Sequence, residues 1–203
     1  LGQDKLGWET SSTINAGIDF GILNDKISGE FNLYKTNTTD LLLNRTISPI
    51  HGINSITQNI GETQNTGLEF SFNSRNFDIG GFQWTTSANF AYEKNKIVSL
   101  YGIVDENGKE VDDVVNSWFI GKPIRVVYDF VWEGTWQLDE AAEAAEWGTQ
   151  PGFLKLKDVN KDGKLTAEDK QIIGNQDPNL LWGLTNSFSY RKFKLDVFVH
   201  GVH

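Results

Sequence analysis

The residues best suited to bind a ligand lie in a run of twelve, 158–169, with the sequence DVNKDGKLTAED. Side chains that carry an oxygen ligand stand at the first, third and fifth positions, which are Asp158, Asn160 and Asp162. Gly163 follows at the sixth position, where a calcium loop turns sharply, and Lys164 at the seventh would offer its backbone carbonyl. A hard divalent cation needs several oxygens from one short segment, so the spacing predicts a structural Ca²⁺ site.

The end of this loop departs from the usual EF-hand pattern. Thr166 at the ninth position can act through a water molecule, and Asp169 closes the loop at the twelfth, where the longer Glu is usual. The sequence before Asp158 predicts no helix, whereas Thr166 can cap a short helix that ends at Gly174. Because the sequence has only one loop of this kind, a single structural ion is favoured over a sensor pair of EF-hands. Ca²⁺ is favoured over Mg²⁺, which prefers a tighter octahedron and more retained water. A metal-free turn rich in Asp and Asn is the alternative.

Other reactive residues show no catalytic pattern. The sequence has no Cys, so thiolate nucleophiles and thiolate metal sites are excluded. It also lacks a G-x-S-x-G elbow. Its three histidines, His51, His200 and His203, have no ligand spacing and are expected to be structural or solvated. We therefore predict no enzymatic activity and no organic cofactor.

Composition narrows the class of protein further. The chain has 203 residues, a net charge of −9 and a sequence pI near 4.8, which argues against a nucleic-acid partner. Mean hydropathy is −0.38, and no run reaches the roughly 18 apolar residues that a spanning helix needs. Aromatic residues make up 12% of the chain and glycines number 20, a balance typical of β-proteins.

Alternation of apolar and polar residues predicts the elements that must position the loop. From Trp8 to Ile22 the even positions are mostly apolar and the odd ones polar, which is the period of a strand. Five further segments alternate in the same way, giving six strands in three hairpins. The short turns are 23–26, 78–81 and 191–192.

The connections between these strands alternate between short and long. A polar loop is predicted over 44–64, and a longer excursion over 96–179 that contains a non-spanning strand at 120–133, a helix at 139–147 and a hairpin turn at 106–109. Short turns at one end and long loops at the other are the pattern of outer-membrane proteins. The sequence predicts an all-β, antiparallel transmembrane β-barrel segment; a soluble antiparallel sandwich is the alternative.

Short motifs along the chain resemble those of SusC/RagA-type TonB-linked outer-membrane proteins, the nutrient transporters of Bacteroidetes. Their order and spacing over nearly the whole chain make the resemblance specific. The motifs are Gly7-Trp8-Glu9-Thr10, Asn15-Ala16-Gly17-Ile18-Asp19-Phe20-Gly21, Tyr34-Lys35 with Thr39-Asp40-Leu41-Leu42, Asn59-Ile60-Gly61-Glu62, Asn65-Thr66-Gly67-Leu68-Glu69, Asn95-Lys96-Ile97, Gly121-Lys122-Pro123, Gly134-Thr135-Trp136-Gln137, Pro151-Gly152 and Ile173-Gly174-Asn175.

The resemblance implies that residues 1–203 are a C-terminal fragment of a 22-stranded, plugged barrel in a Gram-negative outer membrane. It implies transport of oligosaccharides or peptides, driven by TonB through parts outside this chain and assisted by a SusD-like surface lipoprotein. Residues 96–179 would then form an extracellular region that carries the 158–169 loop. The barrel wall would contact outer-membrane lipid.

Two sets of side chains are predicted to face the substrate path. The lumen-facing set is Asn15, Asp19, Glu30, Asn32, Glu69, Asn73, Gln83 and Asn89. The second set, Trp118, Trp132, Trp136 and Trp147, would stack on sugar rings or, as we prefer, pack among themselves. A soluble extracellular β-domain stabilised by calcium and acting as a carbohydrate-binding module is the alternative function.

Overall fold

The computed structural model describes residues 6–46 and 55–203. Its strands in chain order are β1 (Thr10–Ile22), β2 (Ile27–Thr46), β3 (Ser55–Ile79), β4 (Phe82–Ser99), β5 (Val126–Phe130), β6 (Trp132–Thr135), β7 (Leu154–Leu156), β8 (Lys170–Asn175), β9 (Leu180–Tyr190) and β10 (Phe193–Val202). One α-helix, α1, covers Ala141–Glu146, and two short 3-10 helices cover Leu138–Glu140 and Ala167–Asp169. No helix among the described residues is long and apolar enough to cross a membrane.

Six of these strands form one antiparallel sheet in the order β1-β2-β3-β4-β9-β10. The predicted six strands in three hairpins are therefore confirmed. The predicted loop over 44–64 is wrong for 44–46 and 55–64, which belong to β2 and β3; the residues between them, 47–54, lie outside the described part.

The turn between β3 and β4 has a backbone conformation that glycine adopts readily. Between β3 and β4, Gly80 and Gly81 have φ angles of +64° and +81°. A two-residue hairpin turn with positive φ at both central positions matches the twist of its strands, and glycine adopts this conformation without a steric cost. The Gly-Gly pair therefore fixes the register of this hairpin.

Cross-strand register divides the large sheet into an apolar face and a polar face. Residues that pair directly across an antiparallel ladder point to the same face. Ile18 opposes Phe31, Phe31 opposes Phe70, and Phe70 opposes Phe90. The apolar face is open to solvent: Ile18 keeps 67% of its surface exposed. A soluble sheet would bury such a face.

The connection that follows β4 packs against the end of that strand. The backbone N–H of Ile97 donates to the carbonyl of Lys122 at 2.9 Å, and a parallel bridge joins Ile97 to Ile120. Ile97 and Leu100 are buried at this point. The predicted hairpin at 106–109 is confirmed, since Val104 forms a bridge with Glu110.

Residues 125–176 form a second compact unit. Here β5 pairs with β8, and β6 pairs with β7. The strand predicted over 120–133 is wrong for 120–125; the remainder forms two short strands, β5 and β6, and neither joins the large sheet. The predicted helix at 139–147 is confirmed by α1 and the 3-10 helix before it. Val126, Trp136 and Ala144 are the buried apolar residues of this unit among those described.

Candidate functional sites on the polar sheet face and in the 158–169 loop

The eight residues predicted to face the interior all lie on the polar face of the large sheet. One row of paired residues carries Asp19, Glu30, Ser71 and Asn89. Because strand residues two apart share a face, the others follow from the same register. They are Asn15 on β1, Asn32 on β2, Glu69 and Asn73 on β3, and Gln83 on β4.

A groove of about 620 Å³ runs across this face over β2, β3, β4, β9 and β10. It brings together four of the predicted residues, which are Glu30, Asn32, Glu69 and Asn89. Within it the Asn32 side-chain amide donates to the Glu30 carboxylate. Asn73 lines a smaller adjoining cavity of about 210 Å³, whereas Asn15, Asp19 and Gln83 lie outside both linings.

One wall of the groove consists of residues that the sequence did not single out. Phe198, Leu181 and Val202 are exposed apolar residues that line it, and His200 stands beside them. The rings of Phe198 and His200 stack with centroids 5.5 Å apart. His200, which was expected to be structural or solvated, is exposed and lines the groove. The available signal was Phe198, an aromatic residue at a polar position of the β10 alternation.

Gly183 opens the floor of this groove. A Cβ atom at this position would lie 2.5 Å from Oδ1 of Asn89 and 3.2 Å from the Phe198 ring. Both side chains therefore extend over the β9 backbone only because residue 183 has no side chain. The resulting surface combines two carboxylates, two amides and an aromatic wall, which suits a solute rich in hydroxyl or amide groups.

The 158–169 loop is held in a turned conformation by its own side chains. Both oxygens of Asp158 accept backbone N–H groups, from Lys161 at 2.7 Å and from Gly163 at 2.9 Å. Asn160 Oδ1 accepts from Asp162 N at 3.0 Å, and Asp162 Oδ1 accepts from Lys164 N at 2.8 Å. Asp158, Asn160 and Asp162, three of the predicted ligands, thus lie in one turn. Gly163 supplies that turn with a φ of +79°.

Asp169 closes the loop from its other end. It is fully buried, and its carboxylate accepts the backbone N–H groups of Val159 and Thr166 at 2.9 and 2.8 Å. Hydrogen bonds from Thr166 outweigh the opposing effect of burial and lower the pKa of the Asp169 carboxyl. The helix predicted to run to Gly174 is wrong: Thr166 caps only the 3-10 helix, and β8 begins at Lys170.

These contacts decide how well the loop fits a calcium ion. Asp158, Asn160 and Asp162 each bring a side-chain oxygen to the turn, and the Lys164 carbonyl follows, a hard oxygen set of the kind that Ca²⁺ prefers. Asp169 differs in burial, because it is fully buried, whereas Asp158 is half-buried and Asn160 and Asp162 are exposed. Among the described residues, no three His, Asp or Glu side chains form a metal-holding group. By the chemistry of its oxygen donors and their exposure, the first half of the loop suits Ca²⁺ better than the buried Asp169 does.

The four tryptophans, for which we preferred packing to stacking on sugars, have different environments. Trp136 is buried, and Lys155 Nζ lies 4.1 Å from its ring centroid. Trp118 and Trp147 are half-buried. Trp132 keeps 65% of its surface exposed while its indole N–H donates to the Gly134 carbonyl. Packing explains Trp136, and only Trp132 among the four presents a largely open ring.

Long antiparallel strands with one open apolar face and one polar, grooved face define a segment of membrane β-barrel wall. The family model described as TonB dependent receptor-like, beta-barrel, matches residues 1–199. The chain therefore belongs to this family. This confirms the resemblance to SusC/RagA-type receptors inferred from the motifs.

Individual relatives agree with the family. The chain is 31% identical over 207 residues to TonB-dependent receptor P3 of Formosa agariphila, covering 97% of this chain and 20% of the relative. It is 31% identical over 193 residues to TonB-dependent receptor SusC of Bacteroides thetaiotaomicron, covering 94% of this chain and 19% of that protein. The chain thus spans about a fifth of the length of these relatives.

A solved structure shares the fold. The RagAB peptide importer in its open-open state matches 99% of this chain and 21% of its own chain, with a TM-score of 0.74 and 22% sequence identity. At this identity the likeness concerns the fold alone.

Proposed function

We propose that this chain is part of the barrel wall of an outer-membrane TonB-dependent transporter that imports nutrients. The observation that carries the proposal is the division of six long strands into an exposed apolar face and a polar face. Family membership favours this role over that of a soluble carbohydrate-binding module.

The dimensions of the apolar face support a position in the membrane. On β4 the apolar positions run from Phe82 to Tyr92, ten residue steps. At about 3.3 Å per residue this run is about 33 Å long, and a strand tilt near 45° projects it to about 23 Å. Outer-membrane barrels carry an apolar band of about 25 Å. One strand of this sheet therefore has the length needed to cross the hydrocarbon layer.

The rest of the transporter supplies the parts that this segment does not contain. We infer a closed barrel of 22 strands, since an open sheet edge would leave backbone groups without partners in lipid. We also propose a SusD-like surface lipoprotein as partner and TonB as the source of energy. Residues 96–179 would lie at the extracellular end, and the polar groove would face the interior.

The groove suggests which solutes the transporter takes. Carboxylates and amides next to an aromatic wall can hydrogen-bond and stack, which suits oligosaccharides and polar peptides. Transport requires no catalytic group, in keeping with the prediction of a non-enzymatic role. We propose oligosaccharides or peptides as substrates on this basis.

Uptake assays test the proposal. In the strain that carries the full-length gene, deletion should abolish depletion of one class of oligosaccharide or peptide from a defined mixture, measured by mass spectrometry. Asn89→Trp, which fills the groove, should slow uptake severalfold. Gln83→Trp is the matched control on the same strand and face but outside the groove, and should leave uptake near wild type. Normal depletion by the deletion strain would contradict the proposed function.

We further propose that the 158–169 loop binds one structural Ca²⁺ in its first half. Asp158, Asn160 and Asp162 would supply side-chain oxygens and Lys164 its carbonyl, while Asp169 secures the loop through the backbone. The bound ion would neutralise clustered negative charge in a loop that is already turned. Its role would be to hold the extracellular unit in one conformation.

Isothermal titration of the full-length protein with CaCl₂ tests this site. The variant Asp158→Asn/Asp162→Asn removes two charges while keeping one acceptor oxygen at each position, and should lose measurable calcium binding. Asp139→Ala, an exposed acidic residue of the same unit outside the loop, is the matched control and should bind as wild type does. Unchanged binding by the double variant would rule out this assignment.

A further inference from the structure

Two lysines lie on the apolar face of the large sheet immediately beyond its apolar positions. Lys94 and Lys96 follow Tyr92 on β4 at the same alternation, so they point to the same face as Phe90 and Tyr92. Two and four residue steps correspond to about 7 and 13 Å along the strand, or about 5 and 9 Å above Tyr92 for a strand tilted near 45°. That is the level of lipid head groups.

The two side chains border a cavity of about 340 Å³. It forms where β9 ends beside β4 and the return segment 120–124 takes its place, with Gly121 N donating to Ile97 O at 2.8 Å. Gln64 and Thr66 on β3 and Gly121 and Pro123 on the return segment also line it. Asn179, just before β9, lies in the lining too, so the site is built from four stretches of chain.

Charge in this cavity is opposite to that of the chain as a whole. The chain has a net charge of −9, yet the described residues that line the cavity include two lysines and no Asp or Glu. Within the described part of the chain, neither Lys94 nor Lys96 forms an ion pair. Glu93 lies on the opposite face of β4, since it alternates with its neighbours.

Contacts at the lower edge of the cavity suit a lipid. Lys94 Nζ lies 5.4 Å from the ring centroid of Tyr92, so the ammonium sits where the aromatic edge of the apolar face ends. Leu68 pairs with Tyr92 and continues the apolar surface below. A ligand with a phosphate above and acyl chains below would satisfy both surfaces. A free anion would use only the upper one.

We propose that this cavity, the Lys94/Lys96 notch, binds the phosphate group of an anionic lipid in the outer leaflet, of the type of a phosphorylated lipid A. The inference rests on the proposed location in the outer membrane. The two ammonium groups contact the phosphate, and the apolar face below them carries the acyl chains. Each lysine near a membrane surface contributes about a fivefold gain in affinity for anionic lipid.

Thermal unfolding of the full-length protein in a non-ionic detergent tests the notch, with bis-phosphorylated lipid A as the probe. Lipid A should raise the Tm of the wild-type protein, whereas dephosphorylated lipid A and inorganic phosphate should not. Lys94→Ala/Lys96→Ala should raise the lipid concentration needed for the same response about 25-fold. Lys192→Ala, an exposed lysine in the turn at the other end of the sheet, should respond as wild type does.

Three results would overturn the proposal. They are an unchanged response in the double variant, an equal response to dephosphorylated lipid A, and saturation by inorganic phosphate alone. Lys94→Glu/Lys96→Glu gives a second check, because it should abolish the response. Membrane fractionation of the same strains separates the two levels: absence from the outer membrane contradicts the proposed function, whereas correct location with an unchanged lipid response contradicts the notch alone.

Discussion

At the scale of single residues, the Asp169 carboxylate holds the 158–169 loop in its turned conformation. A buried carboxylate is costly unless its oxygens accept hydrogen bonds. Here both oxygens do, from backbone groups at the start of the loop and at Thr166. The residue therefore ties the two ends of the loop together. The sequence predicted its position at the end of the loop, but not that its acceptors would be used by the backbone.

We expect Asp169→Ala to loosen the loop without unfolding the large sheet. The change leaves the backbone N–H groups of Val159 and Thr166 without their charged partner, and hydrogen bonds to charged groups are among the strongest in proteins. Amide hydrogen exchange over 157–170 should become at least about tenfold faster. Exchange in β2 and β3 should be unchanged. Equal exchange of the loop in Asp169→Ala and wild type would show that the carboxylate is dispensable.

Residues on the polar face illustrate where single-sequence reasoning succeeds and fails. Alternation placed Glu30, Glu69 and Asn89 on one face correctly, because period two is a local property of a strand. It did not reveal that His200 and Phe198 would complete a groove with them. That arrangement depends on β9 pairing with β4 and β10 pairing with β9. Residues 96–179 separate β4 from β9 along the chain, so the alternation pattern does not show that these strands are neighbours.

At the scale of elements, the main error concerned how far β2 and β3 extend. Beyond Tyr34 the residues of β2 are largely polar on both faces, since both faces leave the apolar band and contact water. The period-two signal is then lost although the ladder continues. Pairs of hydrogen-bonded hydroxyl groups lie across this part of the ladder. The side-chain oxygens of Thr13 and Thr36 are 2.8 Å apart, and those of Ser11 and Thr38 are 2.9 Å apart. A polar segment rich in Thr is therefore better predicted as a continuation of the strand when it directly follows an apolar strand.

The loop that follows β4 is an element stabilised by carboxylates, and we expect it to be sensitive to acid. Glu110 accepts the backbone N–H groups of Gly102 and Leu100, and Asp113 accepts the Tyr101 hydroxyl. Burial opposes ionisation of both groups, but these hydrogen bonds outweigh it and lower the pKa of each carboxyl.

The sign of the pH effect follows from these lowered pKa values. Each carboxylate stabilises the loop fully above its ordinary pKa, near 4, and the stabilisation is lost as pH falls through the lower folded-state pKa. Hydrogen exchange over 100–119, corrected for its intrinsic pH dependence, should show protection that is constant from pH 7 to 5 and declines below about pH 4. Glu110→Gln should flatten this decline. A loop whose protection is insensitive to acid would contradict the role of the two carboxylates.

At the scale of the whole molecule, the two faces of the sheet require two different surroundings. Composition averages the two faces. A net charge of −9 and a mean hydropathy of −0.38 are values typical of soluble proteins, although one face of this sheet is apolar. Alternation separates the faces, and register shows that the apolar one is continuous across the strands. In the complete receptor, whether a position faces lipid or the polar interior then decides which substitutions it tolerates.

Adjacent residues on β1 offer the sharpest comparison between these surroundings. Ile18 lies at the centre of the apolar run from Ile14 to Ile22, and Asp19 points to the polar face. An arginine facing lipid near the bilayer midplane costs about 2–4 kcal/mol, whereas a charged residue facing a polar interior costs little. Ile18→Arg in the full-length receptor should therefore reduce the amount of heat-modifiable, folded protein in the outer membrane. Asp19→Arg should assemble as wild type does. Equal assembly of the two variants would mean that the apolar face of β1 does not contact lipid.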